Sequence, residues 1–220
     1  LYYTFRIRSR KKVFIIRNII FDVDGTLWDT TEVVAQAWNK AISEVGGTAA
    51  VVSAAVLKNE FGKTMKVVAD SLFYDADERT KELLMEKCCI YEHEALEENM
   101  DNLLFPDVVE TIEKLSEKYC LFIVSNCQAG YIELFMKKAG IELYIKDWEC
   151  FGNTGKGKGK NIMLLVKRNN LTDVVYVGDT QGDYEATQMA QIPFIFAKYG
   201  FGHVENYERA ISRINELLNL

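Results

Sequence analysis

Ile19-Ile20-Phe21-Asp22-Val23-Asp24-Gly25-Thr26-Leu27 is an apolar run that breaks abruptly into two acids, a glycine and a threonine. β-branched and aromatic residues on both faces suit a parallel strand covered by helices on both sides. Acids at the carboxyl end of such a strand stand where open α/β sheets place their chemistry. Three more runs of this kind follow. Cys120–Val124 ends at Ser125-Asn126, Val174–Val177 ends at Gly178-Asp179-Thr180, and Phe194–Ala197 comes last, while Asp147–Phe151 offers a shorter strand. Helical patterns separate them over Val108–Tyr119 (face set by Val109, Ile112 and Leu115), Gln128–Ala139, Lys160–Asn169 and the stretch after Thr180. The alternation predicts an α/β fold with a doubly wound parallel sheet. Gly152–Gly159 reads as a glycine- and lysine-rich loop, and Tyr199–Gly202 as a loop before a terminal helix.

Between the first two strands the periodicity is helical throughout. Thr30 and Thr31 precede Val33, Val34, Ala37, Trp38, Ala41, Ile42 and Val45, and Gly46-Gly47 stops that helix. Val51–Phe61, Thr64–Phe73 and Asp77–Asn99 continue the pattern, with Asp75 or Asp77 as N-cap and Leu83, Leu84, Cys88 and Tyr91 as an apolar stripe. The predicted organisation is a basic extension over 1–17, an α/β core over 18–30 and 103–220, and an all-helical cap inserted over 31–102.

Composition narrows the function classes. The 220 residues are 49% hydrophobic and 26% charged, ordinary for a globular chain with a real core. A net charge of -6 argues against general binding to nucleic acid or an anionic membrane. Arg6, Arg8, Arg10, Lys11, Lys12 and Arg17 crowd the start, which reads as a solvated extension in preference to a binding arm. It lacks the apolar core and cleavage site of a secretory signal. The absence of Met at position 1 points to a processed end or an incompletely represented N-terminus. No apolar run approaches the roughly 20 residues that span a bilayer. Five cysteines, odd in number and without CxxC spacing, read as reduced thiols of a cytoplasmic protein.

Three buried strands thus end in Asp22 and Asp24, in Ser125, and in Asp179 with Asp183 one turn on. Neighbouring parallel strands deliver such groups to one crevice. Gly155-Lys156-Gly157-Lys158-Gly159-Lys160 supplies a lysine close by. Carboxylates held together repel and shift one another's pKa unless a cation sits among them, and Mg²⁺ binds with one or two carboxylates plus water and phosphate oxygens. The set suits phosphoryl transfer, where positioning and charge neutralisation supply most of the catalysis.

Asp22-Val23-Asp24-Gly25-Thr26-Leu27, Val124-Ser125-Asn126, a lysine opening a helix and Gly178-Asp179-Thr180 through Asp183 resemble, in order, the four motifs of the haloacid dehalogenase superfamily. The helical insertion is similar to the cap of its phosphoglycolate phosphatase-like and beta-phosphoglucomutase-like members, and the resemblance runs from Asn18 to the C-terminal helix. It implies a Rossmann-like core and a Mg²⁺-dependent phosphatase that acts on a small phosphorylated metabolite through an aspartyl-phosphate. Asp22 would be the nucleophile and Asp24 the general acid and then base. Gly25, Thr26, Ser125, Asn126 and Lys158 would surround the phosphoryl group, and Lys63, in the cap segment Phe61-Gly62-Lys63-Thr64, would contact a second acidic group of the substrate, with a plain exposed lysine as the favoured alternative. The metal set would be Asp22, the main-chain carbonyl of Asp24, Asp179 and Asp183. Among the three loop lysines, spacing to Ile162 and Leu165 matches Lys158 best, with Lys156 and Lys160 as the alternatives.

Single residues weigh the relatives. Dehalogenases proper and phosphonatases lack the acid at Asp24, and P-type ATPases resemble D-K-T-G-T, which this chain does not contain. Beta-phosphoglucomutases carry a histidine where Val34 stands, so water is the favoured acceptor and a mutase the alternative. A receiver that stores phosphate on aspartate would be much shorter and uncapped. His93 and His203 lack metal-ligand spacing, and Trp28, Trp38 and Trp148 read as packing residues. The substrate is expected to be phosphoglycolate-like, a sugar phosphate or a nucleotide, and the enzyme a monomer or homodimer.

Overall fold

The computed structural model describes residues 16–220. Six strands form one parallel sheet in the order β3-β2-β1-β4-β5-β6. They are β1 (Asn18–Phe21), β2 (Cys120–Ser125), β3 (Ile145–Cys150), β4 (Val174–Gly178), β5 (Phe194–Ala197) and β6 (Arg209–Ile211). The chain moves outward from β1 to β3 and then returns to the other side of β1 at β4, so β1 sits at the topological switch point. Side chains alternate between two buried faces. Ile19, Phe21, Leu121, Ile123, Val175 and Val177 share one apolar cluster, and Ile20, Phe122, Val124, Val174 and Tyr176 share the other. Both faces being buried explains why these strands read as continuous apolar runs.

Helices cover both faces. Ile112 and Leu115 of α5 (Val108–Ser116) and Ile132 and Phe135 of α6 (Tyr131–Ala139) pack on the first cluster. Ile162 and Leu165 of α8 (Lys158–Arg168) and Ala186 of α9 (Gln181–Ala190) pack on the second. The expected face of α5 shifts by one residue: Val108 is buried and Val109 exposed. Among the described residues no helix is long and apolar enough to cross a membrane.

Between β1 and α5 lie four helices and no strand: α1 (Thr31–Val45), α2 (Ala54–Glu60), α3 (Met65–Leu72) and α4 (Glu78–Glu98). Asp77 caps α4, its carboxylate accepting from Thr80 N at 2.8 Å. The buried stripe of α4 is Leu84, Cys88, Glu92 and Leu96, at strict i, i+4 spacing, and the expected Leu83 points outward. Trp38, Leu57, Val68, Leu84 and Leu96 join the same apolar cluster as the first sheet face, so this block packs on the core.

Other sequence expectations need correction. Gly152–Gly159 is only partly loop: Phe151–Thr154 forms a one-turn helix (α7), and α8 starts at Lys158 instead of Lys160. Gly152 allows this tight path, since a Cβ there would stand 2.0 Å from Ala129 N. The terminal helix is absent, replaced by β6 and a 3-10 helix over Ile214–Asn219. A three-residue edge strand with only Ile211 fully buried leaves almost no apolar run to read. The basic extension falls outside the described residues up to position 15; Arg17 lies within them and pairs with Asp173 at 3.4 Å.

Candidate active site

Register alone assembles the site. Phe21 pairs with Ile123 on one side and Val177 on the other. One step further, Asp22 is level with Val124 and Gly178, and Val23 with Ser125 and Asp179. Asp22, Ser125 and Asp179 are therefore brought together at the carboxyl end of the three central strands, all buried.

The helix α8 then aims a lysine into this group. Lys158 Nζ lies 2.8 Å from Asp22 Oδ1 and 2.5 Å from Asp183 Oδ1. Lys156 and Lys160 are exposed, so of the three loop lysines Lys158 is the one that reaches the acids. Asp183 opens α9 in a capping box with Thr180, and its Oδ2 accepts from Asp179 N, Thr180 N and Thr180 Oγ1. Asp179 Oδ2 accepts from Phe201 N at 2.7 Å, and its Oδ1 from Thr26 Oγ1 at 3.2 Å. The Thr26 hydroxyl thus orients an acid. Gly25, at φ +80°, passes so close that a Cβ would stand 2.3 Å from Asp179 Oδ2.

Asp22, Asp179 and Asp183 each present a carboxylate oxygen within 4.8 Å of the others. Burial and then the charge of Asp183 push Asp22 up to about 7 and Asp179 up to about 8, with Lys158 acting in the opposite direction. Asp22 Oδ2 is buried with no hydrogen-bond partner. One lysine does not neutralise three crowded carboxylates, and a hard divalent cation with oxygen ligands fits both the donor set and the orphaned oxygen. Asp183, which accepts from five donors (Lys158 Nζ, the Tyr176 hydroxyl, Asp179 N, Thr180 N and Thr180 Oγ1), would hold the cluster in place from behind Asp22 and Asp179.

Asp24 faces elsewhere. Its Oδ1 accepts from the Tyr131 hydroxyl at 2.6 Å and from Trp28 Nε1 at 3.0 Å. Burial pushes its carboxyl up to about 7 against those two bonds. Its side chain is not part of the three-acid cluster and looks instead into a small cavity of about 30 Å³ under the helical block. That volume holds about one water. Ser125, Asn126, Cys127 and Tyr131 line the sheet side, and Trp38, Glu60, Lys63 and Glu92 the helical side. Asn126 Nδ2 donates to Gly62 O at 2.8 Å, joining the loop after α2 to the strand end. Lys63 Nζ lies 3.0 Å from Glu60 Oε2. Larger hollows, of about 540 and 760 Å³, lie around the amino-terminal approach to β5, away from the aspartates.

A family model of haloacid dehalogenase-like hydrolases matches residues 19–197, most of the chain. The chain belongs to the haloacid dehalogenase-like hydrolases. Relatives agree. A phosphoglycolate phosphatase of Yersinia pestis is 26% identical over 206 residues, covering 90% of this chain and 85% of the relative. One from Aliivibrio fischeri is 24% identical over 199 residues, covering 86% and 87%. Among solved structures, a predicted phosphoglycolate phosphatase from Haemophilus somnus superposes with a TM-score of 0.80 at 20% identity, over 93% of this chain and 97% of its own. A haloacid dehalogenase-like family hydrolase from Streptococcus pneumoniae gives 0.78 at 19% identity, over 93% and 97%. The superfamily resemblance and the capped α/β fold are thereby established for this hydrolase.

Several site residues of this family member escape sequence reasoning. Glu92 lies in the buried stripe of α4, where it accepts from Trp38 Nε1 at 2.8 Å and Gln128 Nε2 at 3.0 Å. An acid at the i+4 position after Leu84 and Cys88 was the available signal. Trp38 packs as expected but also carries this bond. Tyr131 sits on the buried face of α6 and gave no signal beyond its helical spacing. Cys127 is buried, and burial pushes its thiol well above the usual range.

Proposed function

We propose that this hydrolase is a Mg²⁺-dependent phosphatase that cleaves a small phosphomonoester by way of an aspartyl-phosphate. The observation that carries the reading is the buried triad of Asp22, Asp179 and Asp183 with Lys158, leaving Asp22 Oδ2 unpartnered. Asp22 attacks phosphorus in line, forming a carboxylate oxygen–phosphorus bond as the ester oxygen–phosphorus bond breaks. Asp24 gives its proton to the departing oxygen and then takes one from the water that attacks the phosphoenzyme, releasing inorganic phosphate and restoring Asp22. A carboxyl near 7 is matched to both transfers. Tyr131 and Trp28 hold Asp24 by one oxygen, which leaves Oδ2 for the proton. Ser125 and Asn126, at the end of β2, and Lys158 bind the phosphoryl oxygens, and Gly25 keeps the approach free of a side chain.

The metal, held by Asp22, Asp179 and the Asp24 carbonyl with Asp183 behind them, would supply charge neutralisation at the phosphoryl group. A space for about one water means that the Phe61–Met65 segment must move aside to admit a substrate. Reduced, mostly buried thiols suit a cytoplasmic setting.

The test is phosphate release from p-nitrophenyl phosphate with Mg²⁺. Asp22→Asn should lower kcat by about a thousandfold or more, the scale on which removing a nucleophile acts. Unchanged turnover in that variant would overturn the assignment.

A further inference from the structure

We infer that Cys127 and Cys150 form a modification site beside the end of β2: a dithiol pair that hydrogen peroxide converts to a disulfide, shutting off phosphate release. The shut-off rests on the phosphomonoester reading above, whereas the chemistry of the pair does not.

Sheet register brings the two thiols together. Cys150 ends β3 level with Ser125 of β2, and Cys127 follows Ser125 by two residues. Gly152 N donates to Cys127 O at 3.0 Å and Cys150 Sγ donates to Gln128 O at 3.6 Å, which laces the two segments together around the sulfurs. Both side chains are buried, and Cys127 also lines the cavity that Asp24 faces. The other three cysteines lack this setting. Cys88 and Cys89 are neighbours on α4 with thiols pushed up by burial, and Cys120 is exposed at the opposite end of β2.

The pair is also set up to move a proton. Cys150 titrates below the usual thiol range, first through the hydrogen bond from the Cys127 thiol and then through the Asn153 and Gly152 N–H groups, against its burial. A thiolate at Cys150 accepts the Cys127 proton as the Cys127 sulfur, on the cavity side, attacks one oxygen of peroxide. The S–O bond forms as the O–O bond breaks, leaving Cys127 as a sulfenic acid and releasing hydroxide. The Cys150 sulfur then gives its proton to that hydroxide and attacks the Cys127 sulfur, expelling a second hydroxide as the S–S bond forms. Counting the proton first lost from Cys150, two thiols and one peroxide yield one disulfide and two waters, with two electrons passing from sulfur to oxygen. Peroxide enters the cavity through the same movement of Phe61–Met65 that admits substrate. Bonding draws Cys127 toward β3. Asn126, tied to Gly62 O, and Gln128, tied to Glu92, flank it and are carried along. Ser125 and Asn126 then lose their places around the phosphoryl oxygens.

Full-length reduced protein is treated with hydrogen peroxide, alkylated with N-ethylmaleimide in urea and digested. Mass spectrometry should find peptides joined between Cys127 and Cys150 and lighter by two hydrogens, with Cys88, Cys89 and Cys120 alkylated. Turnover of p-nitrophenyl phosphate with Mg²⁺ should fall at least about tenfold and return with dithiothreitol, as a disulfide allows and a sulfinic acid does not. Cys150→Ser, outside the cavity wall, should keep basal turnover, form no cross-link, and retain its turnover at the peroxide dose that inactivates the unsubstituted protein. Cys150→Ala repeats the measurement without a new hydroxyl in the buried site. No cross-link in the folded protein, a cross-link that leaves turnover unchanged, or equal inhibition in both Cys150 variants overturns the inference. Absent turnover by the reduced protein sinks the phosphatase reading and the shut-off with it, whereas the cross-link is decided by mass alone.

Discussion

Lys158 Nζ stands 2.8 Å from Asp22 Oδ1 with neither side chain more than 3% exposed, and the same ammonium reaches Asp183 Oδ1 at 2.5 Å. Burying one cation between two anions is tolerable only while all three charges remain together. The neighbouring carboxylates push the lysine's pKa upward even against its desolvation.

Lys158→Met should therefore destabilise the protein by about 3–5 kcal/mol, because it strands buried carboxylates without a counter-charge. Urea unfolding measures this. Asp22→Asn in the same chain should recover part of the loss, a non-additivity expected of directly paired groups.

Glu92 makes stability fall with rising pH. Burial pushes its carboxyl from the ordinary 4.5 up to about 7, against the bonds from Gln128 and Trp38. Between those values the folded state holds a proton that the unfolded chain has given up, so stability declines as pH rises through that window, by up to about 3 kcal/mol. Glu92→Gln should flatten this contribution. Denaturation midpoints at several pH values between 5 and 8 test it, and parallel pH profiles for the two proteins would refute it.

Metal binding should release protons. Without a metal, Asp22 titrates near 7 and Asp179 near 8, both raised chiefly by burial. At neutral pH the acids thus hold on the order of one proton that a divalent cation must displace, and Mg²⁺ affinity should rise with pH. Calorimetry in buffers of different ionisation enthalpy counts those protons. Chelation by EDTA should return them and stop any Mg²⁺-dependent turnover.

Gly25→Ala meets both a positive φ of +80° and a contact of 2.3 Å with Asp179 Oδ2. Gly46→Ala meets a positive φ alone, with nothing within 4 Å. The second should cost about 1 kcal/mol of stability and the first about 2 kcal/mol or more, with weakened Mg²⁺ binding only in the first. Equal costs in thermal unfolding would mean that the close approach to Asp179 is relieved without strain.

The core strands were legible because parallel strands buried on both faces must be continuously apolar, and their polar ends at Asp22, Ser125 and Asp179 mark where the sheet stops. The four inserted helices were legible from their period and from stop signals such as Gly46-Gly47. The short edge strand at Arg209–Ile211 was not, since three residues carry no periodicity, and neither was the turn of helix at Phe151–Thr154.

The acids and their order along the chain were thus written in local sequence. Local spacing favoured Lys158 among three lysines set two residues apart, but only the packed direction of α8 shows that it alone reaches the acids. The pairing of Tyr131 with Asp24, and of Trp38 and Gln128 with Glu92, joins residues 107, 54 and 36 positions apart. No local pattern encodes such contacts. They arise when α1, α4 and α6 close over the strand ends, and that closure, with the burial it imposes on Glu60 and Glu92, sets the chemistry of the pocket that Asp24 faces.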